Sequence, residues 1–600
     1  MTSLDLGVIG NGAVAALVDA SATINWWGFP RLDGDPVFLS LINGGKDGDG
    51  QDGPANGFFS LDLASQIHAE QIYLPNSAIL RTTLYDDDGG VAEITDFAPR
   101  FVLYERIYRP PMLIRQIRPI RGRPRLRIRV RPCFQYGELL PQITRGSNHI
   151  RYVGASQTLR LTTDAPISYI LEERHFLVDQ PLTLIIGPDE SLREDIERTA
   201  RDLFERTLDH WRGWVRSLSI PFEWQDAVIR SAITLKLCNF EETGAIVAAL
   251  TTSIPEAPDS RRNWDYRFCW LRDAYFVIHA LNRLGVTRTM ENYLGFITNI
   301  VDESREHALR PVYGISRESG IEERESATLA GYRGQLPVRI GNQASGQIQN
   351  DVYGSVVLAA THAFFDHRLI RPGNAELFER LELLGKKAIH AFDKPDAGPW
   401  ELRTIAAVHT FSSVMCWAAC DRLSKVAAVL DRPERAGWWR KQANRLHAVI
   451  CEHAWNPRLG HFVSQFDGEE LDATLLLLHE LNFLSAADPR FVATVEAIGR
   501  DLRRGDFLFR YKTSDDFGIP ETTFVICGFW YVDALAALGR REEARSLFES
   551  MLARRNPLGL LSEDIAPESG TLWGNFPQTY SMVGLVNSAM RLSAPWEDAF

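Results

Sequence analysis

The sequence predicts a chain of several domains that is β first and α afterwards: an N-terminal antiparallel β-sandwich, a linker helix and a C-terminal (α/α)6 barrel. Three observations carry this. Short runs alternating apolar with polar, separated by turn residues, fill the first 190 positions. Beyond residue 224 the apolar residues recur every three or four positions instead of every two. The helical segments there number twelve, and short connections such as Asp431-Arg-Pro433 alternate with long ones rich in Gly, Trp and charge. Twelve helices in that rhythm fit six hairpins, inner helices alternating with outer ones.

Within residues 1–190, Leu126-Arg-Ile-Arg-Val-Arg131 alternates strictly, and residues 159–163, 167–171 and 182–186 read as further strands. Asp87-Asp-Gly-Gly90, Arg121-Gly-Arg-Pro124 and Gly146-Ser-Asn148 are turns between them. Regular short strands of this kind predict a sandwich. Residues 191–223 form the linker, in which Ser191 with Glu194 three positions on reads as a capping box that opens a helix through the 210s. The barrel occupies 224–600. Its helices are expected near 224–240, 270–284, 287–303, 349–368, 375–392, 410–430, 433–455, 470–482, 488–503, 521–538, 541–554 and 577–592. Leu271, Tyr275, Ile278, Leu281 and Leu284 form a core-facing stripe.

Composition excludes several classes. Of 600 residues, 45% are hydrophobic and 24% charged, which suits a globular protein and not a disordered or fibrous one. No apolar run approaches the roughly 18 residues of a membrane span. The start, MTSLDLGVIGNG, lacks the basic region and apolar core of a secretion signal. Seven scattered cysteines without a C-x-x-C pair read as buried free thiols, Cys416 and Cys420 among them, so a reducing, cytoplasmic setting is expected. A net charge of −12 argues against nucleic acid, and the ten arginines between 106 and 131 read as a solvated or interdomain sheet face. Gly10-Asn-Gly-Ala-Val-Ala15 fits a dinucleotide fingerprint, but six residues from Gly12 to Asp19 cannot hold its helix, so a glycine turn between strands is expected. Asp47-Gly-Asp-Gly-Gln-Asp-Gly53 imitates a calcium loop without its closing Glu, position 58 being Phe. No metal, cofactor, nucleic-acid or membrane partner is implied; a homo-oligomer is compatible with the sequence.

The chemistry concentrates in the long loops of the helical half. Arg262-Asn-Trp-Asp-Tyr-Arg-Phe-Cys-Trp-Leu-Arg-Asp273, Gly331-Tyr-Arg-Gly334 through Asn342, Gln349-Asn-Asp-Val-Tyr353, Gly398-Pro-Trp-Glu-Leu-Arg403, Leu561-Ser-Glu-Asp564 and Gly574-Asn-Phe-Pro-Gln-Thr-Tyr-Ser581 mostly mix aromatic rings with Arg or a carboxylate. Sugar recognition wants that mixture, rings for the apolar sugar face and charged forks for hydroxyls. A barrel would bring these loops to one rim.

These motifs, together with Ile9-Gly-Asn-Gly12, Asn25-Trp-Trp27, Pro30-Arg-Leu-Asp33 and Thr251-Thr-Ser-Ile-Pro255, run in order along essentially the whole chain. In them the chain resembles glycoside hydrolase family 15, the glucoamylase-like α-glucosidases that include glucodextranases and some bacterial and archaeal trehalases. The resemblance implies an exo-acting enzyme that releases glucose from small α-glucosides with inversion. Inversion requires two carboxyl groups about 6.5–9.5 Å apart. The resemblance places the general acid at Glu401, beside Trp400, and the general base at Glu563, with Asp564 as its rival. It implies that Arg272 and Asp273, in the segment opened by Trp270, hold the first glucose. Tyr266 would stand near the proton-transfer path, Trp530 would line the pocket and Ser581 would orient the base. Arg333, Gln349, Asp351 and Tyr353 lie in family motifs as well, and Glu322 and Glu325 are the next carboxylates to consider for the acid. Two departures bear on the leaving-group side: Leu402, followed by Arg403, stands where fungal glucoamylases carry a second Glu, and Tyr580-Ser-Met582 replaces Phe-Ser-His. Trehalose or a short malto- or isomalto-oligosaccharide is the expected substrate. The alternatives are an inverting disaccharide phosphorylase, which would put phosphate in place of the base, and a sugar-binding protein without activity.

Overall fold

The computed structural model describes residues 3–44, 55–304 and 307–599. Two antiparallel sheets open the chain. The first runs in the order Leu6–Gly10, Ala15–Asp19, Ile24–Gly28, Phe58–Leu63, Arg125–Arg131, Phe176–Leu177, with Pro36–Phe38 beside Ile24–Gly28. The second runs Gln142–Arg145, His149–Val153, Thr158–Thr163, Leu182–Pro188, Leu113–Arg121, Val91–Phe97, Leu80–Asp86, Gln66–Tyr73. Their inner faces share one core, in which Trp27, Phe59 and Ile128 of the first sheet join Leu84, Ile94 and Leu184 of the second.

Alternation decides which side chains enter that core. Arg125–Arg131 buries Leu126, Ile128 and Val130 and turns its arginines outward. Arg127 and Arg129 meet Asp62 there, and Arg131 meets Glu173. Arg115 alone of the ten is fully enclosed, with Asp96 at 2.7 Å as its counter-charge. The arginine run is therefore mainly a half-wet sheet face. The Gly10–Ala15 segment is a tight hairpin, with Gly12 at φ +84° and Asn11 N donating to Val14 O at 3.1 Å. The Asp47–Gly53 run lies outside the described residues.

Two sequence expectations need correction. Ile167–Leu171 is a one-turn helix, not a strand; Pro166 precedes it and only Ile170 is buried. A five-residue apolar run next to a proline carries too few periods to separate the two. The linker helix is Ile196–Arg216, and its cap is Asp195, which accepts from Arg198 N at 3.1 Å, so Ser191 lies outside it.

Six helices form an inner ring: Leu271–Arg283, Asp351–Phe365, Thr410–Val429, the short pair Ala473–Leu476 and Leu477–Glu480, Val525–Ala537 and Thr579–Leu592. Each touches the next and the last touches the first. Gln225–Leu237, Thr287–Glu303, Ala375–Ala391, Pro433–Ala454, Pro489–Asp501 and Arg541–Leu552 pack outside them. The burial patterns follow from this. Asp351–Phe365, covered on both sides, leaves only Thr361, His362 and Phe365 not buried. Pro433–Ala454, with one wet face, buries Trp439, Ala443, Leu446, Ile450 and Ala454 at helical spacing. Of the predicted stripe, Leu271, Ile278, Leu281 and Leu284 are buried and Tyr275 is half-buried. Six cysteines are buried and Cys451 is half-buried, all unpaired. Among the described residues no helix is long and apolar enough to cross a membrane.

Candidate active site

Each inner helix is entered from a long loop at its N-terminal end, so those loops converge on one end of the barrel. There they line a cleft that is open to solvent. Trp530 and Tyr580 line its floor, ring edge against ring face at 5.9 Å.

Glu401 stands on one side. Its φ is +60°, a left-handed conformation that costs a residue with a Cβ and has to be enforced from outside. Leu402 N donates to Ala397 O at 3.0 Å, and Gln347 Nε2 donates to Glu401 O at 3.1 Å. Gly398, at φ +69°, lies so close to His409 that a Cβ there would come within 2.6 Å of its ring. The carboxyl oxygen Oε1 accepts from Trp270 Nε1 at 2.5 Å, Arg272 at 3.1 Å and Gln349 Nε2 at 3.2 Å. Arg272 is the electrostatic hub. Beyond Glu401 it reaches Gln349 Oε1 at 2.8 Å, Asp351 at 3.2 Å and Asp273 at 3.7 Å. Burial pushes Asp273 up to about 7 against the pull of Arg272, and its Oδ1 has no hydrogen-bond partner among the described residues. Asp351 is raised for the same reason. Arg272 and Asp273 line the cleft, while Gln349 and Asp351 sit behind Arg272.

Glu563 stands on the other side, fully buried. The short strands Thr523–Phe524, Asp564–Ile565 and Leu572–Trp573 fix its backbone. Tyr266 donates its hydroxyl to Oε1 at 2.7 Å, and Asn575 N approaches Oε2 at 3.4 Å. Gly574 has φ +75° and sits where a Cβ would come within 2.6 Å of Glu563 Cβ. Burial, and after it the charge of Glu256, hold Glu563 well above the usual carboxylate range; the bond from Tyr266 works the other way. Tyr266 and Trp270, the aromatic donors to the two carboxyls, are ring neighbours 5.3 Å apart. The two carboxyls thus face one cleft across a single aromatic pair.

Beside Glu563 is a carboxyl group outside the quoted motifs, Glu256, which lines the cleft together with Arg510. Oxygens of Glu256, Glu563 and Asp564 come within 4.8 Å of one another. Glu256 accepts from Trp264 Nε1 at 2.7 Å and from Arg510 at 2.6 Å. Arg510 supplies positive charge to this group of three carboxyls. Burial raises Asp564 well above the ordinary range, and its Oδ2 has no partner among the described residues.

The remaining predicted residues fall in three places. Trp400, Arg403 and Trp530 line the cleft. Trp400 is anchored through Nε1 to Asp472 at 2.9 Å, and Arg403 lies 4.7 Å over the Trp264 ring with Glu323 at 2.8 Å. Ser581 donates to the carbonyl of Ser562 at 2.7 Å, so it grips the backbone next to Glu563 and not the carboxyl itself. Arg333 is exposed, packs over Tyr332 and Trp573 and does not line the cleft. Neither do Glu322 and Glu325; Glu325 is an exposed partner of Arg339. Of the two departures, Leu402 lines the cleft and Met582 is buried away from it. The sequence motifs contained Trp264 and Asn575 without giving either a role, and they did not include Glu256 or Arg510. Glu256 directly follows the quoted Thr251–Pro255 motif, and that adjacency was the available signal.

Two carboxyls lining one aromatic-walled cleft, at one end of an (α/α)6 barrel, are the equipment of a glycoside hydrolase. The sequence model of glycosyl hydrolases family 15 matches residues 224–590, and the chain belongs to that family. It is 31% identical to the trehalase of Mycolicibacterium smegmatis over 99% of this chain and 92% of that one. It is 30% identical to the trehalase of Thermoplasma volcanium over 98% and 93%. Among solved structures, a bacterial glucoamylase complexed with acarbose superposes with a TM-score of 0.67 over 98% of this chain and 94% of that one; at 14% identity the likeness shows the fold.

Proposed function

We propose that the protein is an inverting, exo-acting α-glucosidase whose natural substrate is trehalose. The observation that carries the reading is the placement of Glu401 and Glu563 at one cleft, each with its own aromatic donor. Glu401 gives its proton to the glycosidic oxygen as the C1–O bond breaks. Glu563 takes a proton from a water whose oxygen bonds to C1 from the opposite face. Arg272 and Asp273, above the Trp530–Tyr580 floor, hold the glucose that is released, and a floor at that end favours attack from the chain end. At the other end Leu402, Arg403 and Trp264 offer room for a short leaving group. The two trehalases named above support trehalose over longer glucans.

The test is to incubate the protein with trehalose, maltose, isomaltose and maltotriose and to follow glucose by NMR. Trehalose should be cleaved fastest, and β-glucose should appear first. Initial α-glucose overturns inversion. Release of glucose 1-phosphate only when phosphate is present would make the protein a phosphorylase, and binding without turnover a sugar-binding protein.

A further inference from the structure

The proton-accepting side of the cleft contains more acid than one base requires. Three carboxyl groups, all buried, bring oxygens within 4.8 Å of one another, and one guanidinium, that of Arg510, is hydrogen-bonded to the group. They are not equivalent. Glu256 is satisfied at both oxygens, by Trp264 and by Arg510. Its backbone is held too, since Thr522 donates to its carbonyl at 2.9 Å and Gly574 N donates to the carbonyl of Pro255 at 2.8 Å. Asp564 Oδ1 lies 3.1 Å from the Thr522 hydroxyl, whose single proton it shares with the Glu256 carbonyl, and its Oδ2 has no partner among the described residues, the state of a carboxyl that keeps its proton. Glu563 lies between, with one oxygen on Tyr266. Glu256 is the member held at both oxygens by donors, one of them cationic.

We propose that Glu256 is a positioning residue of the reaction centre that acts through Glu563: pinned by Trp264 and Arg510, its charge faces the base and strengthens the hold of Glu563 on the proton taken from the attacking water. This rests on reading Glu563 as the base. Glu256 forms and breaks no bond; the proton passes from water to Glu563. The groups that face Glu563 are Tyr266 and Glu256, both on the loop between Ala245–Ile246 and Cys269–Trp270, Arg510 from another loop, Asp564 beside it in the chain, and the backbone N–H of Asn575. Among them Glu256 is the carboxyl pinned by donors at both of its oxygens. The direction in which Glu563 is shifted agrees, with the charge of Glu256 second only to burial.

The experiment compares Glu256→Gln, Glu256→Asp and Glu563→Gly, using pH profiles of kcat/KM and kcat for trehalose, with circular dichroism to check folding. Removing the neighbouring anion lowers the pKa of Glu563. In Glu256→Gln the acid limb should therefore move to lower pH by about one to two units, and plateau kcat should fall about 3–10-fold because the base is weaker. Glu256→Asp, which keeps the charge one methylene further away, should move the limb part of that distance. Glu563→Gly should lose hydrolysis and recover some with azide. An acid limb that stays put in Glu256→Gln while Glu563→Gly is rescued overturns the role of Glu256 and leaves the base standing. An active Glu563→Gly without azide overturns the base itself. If Glu256→Gln does not fold, Glu256→Asp decides: a limb at the wild-type position refutes the proposal.

Discussion

Replacing Glu401 with Gln isolates the proton from the rest of the side chain. Among the described residues, the hydrogen bonds that the Glu401 carboxyl accepts all fall on Oε1, from Trp270, Arg272 and Gln349. In Glu401→Gln the amide oxygen has to take that place, because three donors point at it. The NH2 then lies where the acid proton is expected, on Oε2, and the chain geometry around φ +60° is kept. What disappears is the ability to protonate the glycosidic oxygen. General acid catalysis is worth about 10²–10⁴ in rate, or about 3–5 kcal/mol of barrier, so kcat/KM for trehalose should fall by that factor. α-Glucosyl fluoride departs as fluoride and needs little protonation, so its rate should fall less than about tenfold. Glucose release and fluoride release measure the two. Equal losses on both substrates would refute Glu401 as the acid. The next carboxylate to test would then be one that lines the cleft, Asp515 or Asp516, and not Glu322 or Glu325.

Other outcomes follow from the same geometry. Gly574→Ala should push Glu563 aside, because the new Cβ would start 2.6 Å from Glu563 Cβ; kcat should drop about 100-fold with the helical spectrum intact, and an effect on KM alone would contradict this. Because Glu563 is held above the usual range, wild-type activity should be lost as pH falls through that raised pKa, so the acid limb of kcat/KM should lie nearer neutrality than the about 4.3 of a free Glu; a limb at the free value would place the base elsewhere. Asp273→Asn should abolish trehalose hydrolysis yet gain stability on the wild type as pH rises. Asp273 titrates at about 7 in the folded chain but near 4 when unfolded, so wild-type stability declines across that window and the variant escapes the decline; parallel melting curves from pH 4 to 8 would refute this. Arg272→Ala should lose activity and also stability, since it strands Asp351 and Asp273; unchanged melting would mean that those carboxyls are not charged in the folded state.

The large architecture was legible because burial writes itself into periodicity. Twelve helices could be read off the chain since helices such as Leu271–Arg283 and Pro433–Ala454 carry a stripe and Asp351–Phe365 is apolar along most of its length, and both differ from the strict alternation of a strand such as Arg125–Arg131. Periodicity fails where an element is one turn long, as at Ile167–Leu171, and where several residues compete for a cap, as at Ser191 and Asp195. The site divides in the same way. Glu401, Glu563, Arg272 and Tyr266 lie in dense aromatic and charged motifs that announce themselves. Arg333 lies in one too and still points away, because a motif fixes the path of the backbone and not the use of every side chain. Glu256 is a lone acid after a proline, and only the fold brings it beside Glu563, 307 positions further along.

The catalytic loops are not held by the barrel alone. Trp26 of the first sheet donates to Leu250 O at 2.7 Å, Gly331 N reaches Ile42 O at 3.0 Å, and Arg267 donates to Gly34 O at 3.0 Å while lying between the Trp26 and Tyr136 rings. Arg267 also grips Asp265, two residues before it and next to Tyr266, the donor to Glu563. For protein engineering this sets the smallest transplantable unit. A barrel cut out at residue 224 would carry every acid and base and would leave behind the brace that holds Tyr266 in register. A chimera that exchanges substrate loops between relatives has to take Trp26, Gly34 and Tyr136 along with them.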